Sequence, residues 1–345
     1  MSAWIDKKTI TSVVDKNRSN EIWENGGKLS MEKKEERGEG EFGGIRHKLE
    51  QKKLVELLSN DMSGSELNTL LLEVFQRRKA NISPSELLRS YKDNRFVSPA
   101  SVDPIALKQL ELELLGIAQS NRYTPIQLSP VAPFGTCSVV APADQNKVIS
   151  ALRGTEVVAD ATNLMALHIA DGIKSGHFQN HSGLIRFAAT HRHVRAQKFP
   201  QSPGMLAHFS LYAMVTSGKD VGSYGFEKQS IWEHIAVYRQ IFREKYQSEI
   251  QLIINAREGY SDCEGLIERI VRHIREQAPD MTIITNLVSS DNAYYKGLQF
   301  TIRATMNGHE HNIGDGGFVD WTQQLLGNKK QRLLISAIGL DRMCK

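Results

Sequence analysis

The sequence predicts an α+β fold, a mainly antiparallel sheet flanked by helices, with an N-terminal helical appendage. Two observations carry this. Strand candidates come in adjacent runs separated by Gly, Asn and Asp turns, with helices segregated between them, unlike the strict alternation of a doubly wound parallel sheet. A chain of 345 residues, 40% hydrophobic and 24% charged, is also large enough for one big core plus an appendage.

The elements follow in order. Residues 1–45 are polar and rich in Gly, Glu and Lys around Gly26-Gly-Lys-Leu, so they bury too little apolar surface to offset chain entropy and are expected to be mobile. Residues 46–100 carry short amphipathic helices: Leu54, Val55, Leu57 and Leu58, then Leu67, Leu70, Leu71, Val74 and Phe75 at helical spacing. A third begins at Ser83-Pro84-Ser85-Glu86, where Ser83 can cap and Glu86 can close a capping box. This region fits packing or dimer support, or binding of a partner or RNA. Residues 101–345 form the main domain, opened by a helix from Asp103-Pro104 to about Gln119 with a wide apolar face. Strands are expected at 155–159, 184–193, 208–216, 250–255, 298–305 and 333–338, and helices at about 163–171, 227–246 and 264–277.

Several function classes drop out. Formal charge is +4 with Lys and Arg spread along the chain, which neither demands nor forbids a nucleic-acid partner. Cys137, Cys263 and Cys344 lie far apart without a C-x-x-C pair, which fits a reducing, cytoplasmic setting and offers no zinc spacing. The start lacks a secretory signal, and no run approaches the roughly 20 apolar residues of a membrane span. The pairs His191-x-His193 and His309-Glu-His311 lack a third ligand nearby, so ordinary polar roles are expected and no metal. No Gly-x-Ser-x-Gly elbow is present.

Two stretches could carry chemistry. Ile185 to Arg195 and Ala207 to Val215 read as a long hairpin with Arg192 near the end of its first strand, where a guanidinium could grip a phosphate and Phe209 could stack on a purine; a surface hairpin with an Arg–carboxylate pair is the plainer reading. Ile313-Gly-Asp-Gly-Gly-Phe-Val-Asp-Trp321 reads as a Gly-rich turn running into a helix, and Ala337-Ile-Gly-Leu-Asp-Arg-Met343 as a strand turning into a short helix with Arg342.

Taken in order, these segments resemble the three motifs of the class II aminoacyl-tRNA synthetases: the Asp103 helix leading to Ile126-Gln-Leu-Ser-Pro130, the Arg192 hairpin with Phe209, and Gly339-Leu-Asp-Arg342. Tyr294-Tyr-Lys-Gly-Leu-Gln-Phe300 is similar to the Tyr-Tyr-Thr-Gly-x-x-Phe strand of histidyl-tRNA synthetases. Gly314-Asp-Gly-Gly-Phe-Val-Asp320 resembles their Gly-Gly-Gly-Arg-Tyr-Asp turn, and Asp160-Ala-Thr162 their Glu-Gly-Thr element. The resemblance implies an ATP site, with Mg2+, in which Arg192 meets the α-phosphate, Phe209 stacks on adenine and Arg342 reaches the γ-phosphate. It also implies that Asp160 and Thr162 hold the ammonium of an amino acid, with Tyr294, Tyr295, Gly316 and Gly317 lining its pocket, and that the protein is a homodimer. Asp160 and Thr162 are equally suited to capping the helix that follows them.

The departures point away from a conventional synthetase. Val194 stands where an acid is usual, the histidine-binding Gln and Glu fall on Leu211 and Val215, and Arg-Gly-Leu-Asp reads Ser290-Asp-Asn-Ala293. With the sequence ending just after the third motif, no anticodon-binding domain is expected. Two functions are therefore expected: ATP-dependent activation of a small carboxylate or amino acid as an adenylate, or a non-catalytic paralogue acting as a regulatory or binding subunit, as in the ATP phosphoribosyltransferase regulatory subunit.

Overall fold

The computed structural model describes residues 52–178, 183–197, 207–288 and 294–344. The segment 1–45 and Ser290-Asp-Asn-Ala293 lie outside the described residues. The chain divides into two compact units, a small one containing residues 52–83 and 152–154 and a large one containing residues 84–151 and 155–344.

In the small unit, α1 (Lys52–Glu56) and a wide turn at Leu57–Asp61 lead to α2 (Gly64–Ala80). Ser63 and Glu66 form a reciprocal capping box at the start of α2, each side chain accepting the other's backbone N–H.

The large unit opens with α3 (Pro84–Asp93) and α4 (Pro104–Ser120). Asp103 Oδ1 accepts the N–H groups of Ile105 at 2.8 Å and Ala106 at 3.2 Å, so the cap and Pro104 start α4 together. Then come β1 (Thr124–Pro125), β2 (Val131–Pro133), β3 (Ser150–Ala151), β4 (Thr155–Val157), α5 (Ala161–Lys174), β5 (Ile185–Val194) and β6 (His208–Lys219). The remainder is α6 (Gly225–Tyr246), β7 (Ile250–Ala256), α7 (Cys263–Gln277), β8 (Thr282–Asn286), β9 (Lys296–Met306), β10 (His309–Val319), α8 (Trp321–Leu326), β11 (Gln331–Gly339) and α9 (Leu340–Met343). Eight strands form one sheet in the order β1-β5-β6-β11-β10-β9-β7-β8, and β2-β4-β3 form a small second sheet. Every pairing from β5 across to β7 is antiparallel, and only the outermost strands β1 and β8 join in parallel. The mainly antiparallel, helix-flanked architecture is the one the sequence predicts.

One expected turn is a strand. Gly314, Gly316 and Gly317 sit inside β10, and none has positive φ. The true reversal is Asn307-Gly308, with φ of 51° and 79°, a two-residue hairpin turn whose twist matches the strands it joins. The glycines of β10 serve close packing: a Cβ on Gly317 would lie 2.6 Å from the Tyr295 ring, and one on Gly316 would lie 2.5 Å from the Phe300 ring.

Two apolar clusters cover the two faces of the sheet. On one, Ala188, Tyr212, Met214, Leu334, Phe300 and Leu252 pack under α4, α6 and α7. On the other, Phe187, Leu211, Val215, Ile335 and Val319 pack under α5 and α8. Under the long helices lies a neutral polar chain: Tyr123 Oη to Thr216 Oγ1 at 3.2 Å, Thr216 Oγ1 to His234 Nε2 at 3.0 Å, His234 Nδ1 to Ser336 Oγ at 2.7 Å, and Tyr238 Oη to Ser336 Oγ at 2.8 Å.

Burial, aided by Arg186, pushes the pKa of His234 down to about 3. A histidine whose folded pKa lies below its unfolded value stabilises the fold fully above pH 6.5 and loses that contribution as pH falls towards 3. By pH 4 the loss from this side chain is about 3 kcal/mol. Urea midpoints between pH 7 and pH 4 should therefore fall more steeply for the native chain than for His234→Gln.

Candidate active site

The hairpin β5–β6 decides which side chains share a surface. Arg192 stands opposite Ser210, whereas His193 stands opposite Phe209 and His191 opposite Leu211. Arg192 and Phe209 therefore project from opposite faces of the sheet. Arg192 faces the long-helix side, where Nε donates to His208 Nδ1 at 2.8 Å, Nη1 to Ser210 Oγ at 3.1 Å and Nη2 to Asp341 Oδ2 at 3.3 Å. The Ser210 N–H donates to the other oxygen of Asp341 at 2.9 Å. Arg192 thus clasps β5, β6 and α9. Val194, two residues on, shares its side, so an acid there would not face Phe209.

Arg342 is exposed on α9, with Nη1 donating to the Asn312 carbonyl at 3.3 Å. Gly316 looks to the long-helix side, against Phe300 and Ser336, while Gly317 looks to the opposite face under Tyr295. Arg192, Phe209 and Arg342, expected to clamp one nucleotide, are not brought to one surface. The parity of the hairpin is the reason.

A different constellation gathers on the Phe209 face. Asp160 caps α5, its Oδ1 accepting the Thr162 N–H at 3.0 Å and hydroxyl at 2.7 Å, so the capping role is realised. Its Oδ2 accepts the Tyr294 hydroxyl at 2.9 Å, which joins three of the expected ligand-side residues. Tyr294 packs edge-on against Tyr295 at 4.9 Å and Trp321 at 5.3 Å, and the Tyr295 ring rests on Gly317. Arg195, only 1% exposed, donates from Nε to the Ala159 carbonyl at 3.1 Å and lies 5.0 Å over the Phe209 ring. His193 stacks on Phe209 with centroids 6.0 Å apart, and its Nε2 accepts the Ala161 N–H at 2.9 Å. That bond ties β5 to the start of α5 and requires a neutral imidazole with its proton on Nδ1. Burial, with His191 and Arg195 alongside, holds its pKa well below the usual histidine value.

Farther along, three adjacent strands contribute one row. Gln299 on β9 donates from Nε2 to Asp315 Oδ2 on β10 at 3.1 Å, and its Oε1 accepts Arg257 Nη2 at 2.6 Å and Nε at 3.2 Å from the end of β7. Asp315 is 2% exposed, and burial raises its pKa. Arg195, Asp315, Gln299 and Arg257 escaped the motif reading. A signal existed for Gln299, a polar residue between Leu298 and Phe300 in an apolar strand.

Cys137 lies beside this cluster, its Sγ accepting Asn163 Nδ2 at 3.3 Å, and burial with Asp160 and Glu156 nearby pushes its thiol up to about 12. It is a packing residue rather than a nucleophile. His191 and His193 share the Phe209 face, whereas His309 and His311 are exposed at the start of β10. Among the described residues, no three His, Cys, Asp or Glu side chains are grouped to hold a metal ion. Nor is any described helix long and apolar enough to cross a membrane.

No protein-family model matches the chain, and no curated protein matches it by sequence. Solved structures do match. Histidyl-tRNA synthetase of S. aureus in its apo form superposes with a TM-score of 0.54 at 13% identity, over 70% of this chain and 66% of that one. An ATP phosphoribosyltransferase regulatory subunit/histidyl-tRNA synthetase from Bacillus halodurans gives 0.55 at 13% identity, over 72% of this chain and 82% of that one. Histidyl-tRNA synthetase from Nostoc gives 0.53 at 15% identity, over 72% and 73%. The chain spans just under two thirds of the S. aureus enzyme. The fold is that of the class II synthetase catalytic domain, as the motif order predicts, and its structural neighbours include histidyl-tRNA synthetase and its regulatory relative.

If Arg192 is a clasp, Arg192→Met and Asp341→Asn should each lower stability in chemical denaturation, with a coupling in the double mutant of about 1 kcal/mol. Additive losses would show that the two side chains act separately.

Proposed function

We propose that this chain is a non-catalytic, synthetase-fold binding subunit that holds a small amino-acid-like zwitterion on the Phe209 face. The observation that carries this reading is the direction of Arg192. A nucleotide clamp needs its guanidinium beside Phe209, and here it is committed to Asp341 through the other face. The polar residues on the Phe209 face suit a zwitterion: the Asp160 carboxylate, oriented by Thr162 and Tyr294, takes the ammonium, and the Arg195 guanidinium takes the carboxylate. Occupancy of this seat would then regulate a protein partner in the reducing, cytoplasmic setting that the three free thiols fit.

A second reading, an ATP- and Mg2+-dependent ligase that makes an adenylate, is favoured by one contact. Arg195 lies over Phe209 on the correct face and supplies the charge that Arg192 does not. Homodimerisation through α4 and β2 is supported by the exposed apolar side chains Ile105, Leu112, Val131 and Phe134.

Isothermal calorimetry with a panel of amino acids, alongside ATP–pyrophosphate exchange, tests these readings. The native chain should bind at least one amino acid and show no exchange, and Tyr294→Phe or Asp160→Asn should weaken binding about tenfold. Exchange lost in Arg195→Met but kept in Arg192→Met would establish the ligase instead. Sedimentation should give a dimer that Leu112→Asp shifts to monomer; an unshifted native monomer removes that interface.

A further inference from the structure

A sheet edge offers a row of backbone donors and acceptors to any extended chain, and folds commonly blunt it with a very short strand, proline, lysine or a bulge. The two edges of the large sheet differ in this respect. At one, β1 is two residues long and ends in Pro125. At the other, β8 runs five residues, Thr282-Ile-Ile-Thr-Asn286, without a charge or a proline, and pairs with β7 in unbroken register. Among the described residues no strand pairs with its outer side. Ile284 is 40% exposed, and Leu287 and Val288 just beyond the strand are 49% and 88% exposed.

The space beside this edge is shaped to receive a chain. A groove of about 540 Å³ runs between α7 and β8, with Ile267 and Val271 of the helix and Leu287 as its apolar lining. Thr285 also faces it, so β8 alternates between the groove and the opposite face, where Ile284 lies. The charges on the helical wall are ordered along its length. Glu268 and Arg272 pair with each other at 2.7 Å, while Glu264 and Arg275, farther out in either direction, pair with no described residue. Glu276, at the Arg275 end, lies 3.9 Å from His273. Because α7 runs back between the parallel strands β7 and β8, Glu264 stands towards the C-terminal end of β8 and Arg275 towards its N-terminal end.

We propose that the outer edge of β8, with the α7–β8 groove, is a docking site for an extended segment of a protein partner, which joins the sheet as a further strand. Antiparallel addition, the more stable per residue, places the segment's N-terminal end by Glu264 and its C-terminal end by Arg275. The segment that fits has a basic residue first, apolar residues at alternate positions over Ile267, Val271 and Leu287, and an acidic residue last. From Glu264 to Arg275 the helix rises about 16 Å, and seven residues of strand span about 20 Å, so one heptapeptide reaches both charges. The site uses no residue of the zwitterion seat, and it supplies the contact that regulation of a partner requires.

The probe is the fluorescein-labelled peptide Lys-Thr-Val-Thr-Val-Thr-Glu amide, followed by fluorescence anisotropy with the native chain. It should bind, and the peptide with Lys and Glu exchanged should bind about fivefold more weakly. Only one edge of an added strand faces β8, so N-methylation of the valines or of the threonines should abolish binding in one case and spare it in the other. Glu264→Lys/Arg275→Glu should invert the preference between the two peptides, and Ile284→Lys, which charges the edge, should weaken both. The methylated peptides need no altered protein and decide the matter if a variant fails to fold. No binding at millimolar peptide, equal effects of the two methylations, or a preference unmoved by the charge reversal overturns the proposal. Self-association that survives Leu112→Asp and is lost in Ile284→Lys gives the edge to a second copy and overturns it as well. None of these outcomes bears on amino-acid binding at the Phe209 face, so the two readings fail separately.

Discussion

Side chains along a strand alternate between the two faces of its sheet, and in this molecule that parity governs everything placed on the β5–β6 hairpin. Both faces are buried, so the register cannot slip. Phe187, Leu211 and Val215 must meet α5, while Ala188, Tyr212 and Met214 must meet the long helices. A shift by one residue would carry each set to the wrong cover. The direction of Arg192 follows from its apolar neighbours, and its hydrogen bonds to Ser210 and Asp341 exploit a position already set. The same parity delivers His193 and Phe209 to the other face, where Arg195 closes over them.

The two faces also differ in how they satisfy buried polar groups. Under the long helices the chain from Tyr123 to Tyr238 is neutral, each hydroxyl finds a partner, and its imidazole is held uncharged by burial. Such a network gains little net energy per bond but penalises any packing that breaks it. On the Phe209 face the buried groups are charged, with Asp160, Arg195, Asp315 and Arg257 all at least nine-tenths covered. Burying four ionisable groups of both signs is an expensive way to stabilise a sheet, since apolar side chains fill the same space with less desolvation. The long-helix side buries charge as well, at Glu227 and Arg239 on α6, where Glu227 is paired with Arg332 and Arg239 with Asp280.

Much of the fold is legible in the sequence. Asp103-Pro104 announces α4 by its cap, the two β-rich runs from Ile185 to Arg195 and Ala207 to Val215 announce the hairpin, and the order of the three motifs is read by resemblance. What could not be read was the register of the hairpin. Whether Arg192 and Phe209 share a face depends on how the strands pair across a connection whose length does not dictate it, and Arg192 opposite Ser210 decides the matter. The strand β10 was misread for another reason. Three glycines in four residues look like a turn, yet each is there because Phe300, Tyr295 or the neighbouring backbone leaves no room for a Cβ. The turn signal that mattered, Asn307-Gly308, stood seven residues earlier.

The departures from the synthetase motifs acquire a physical meaning on this sheet. Leu211 and Val215, standing where polar specificity residues were expected, are buried beneath α5 with Met165, Ala166 and Ile169, so that part of the face has become core. Buried polar groups lie instead towards β10, β9 and the end of β7, where Asp315, Gln299 and Arg257 line up. A fold is preserved by the demands of its apolar layers, which many sequences can meet, and identities of 13% to 15% with its structural neighbours suffice for that. Recognition depends on a handful of charged groups whose positions drift independently of the core. Buried polar groups on the Phe209 face are accordingly gathered at Asp315, Gln299 and Arg257, while the β6 positions Leu211 and Val215 are apolar.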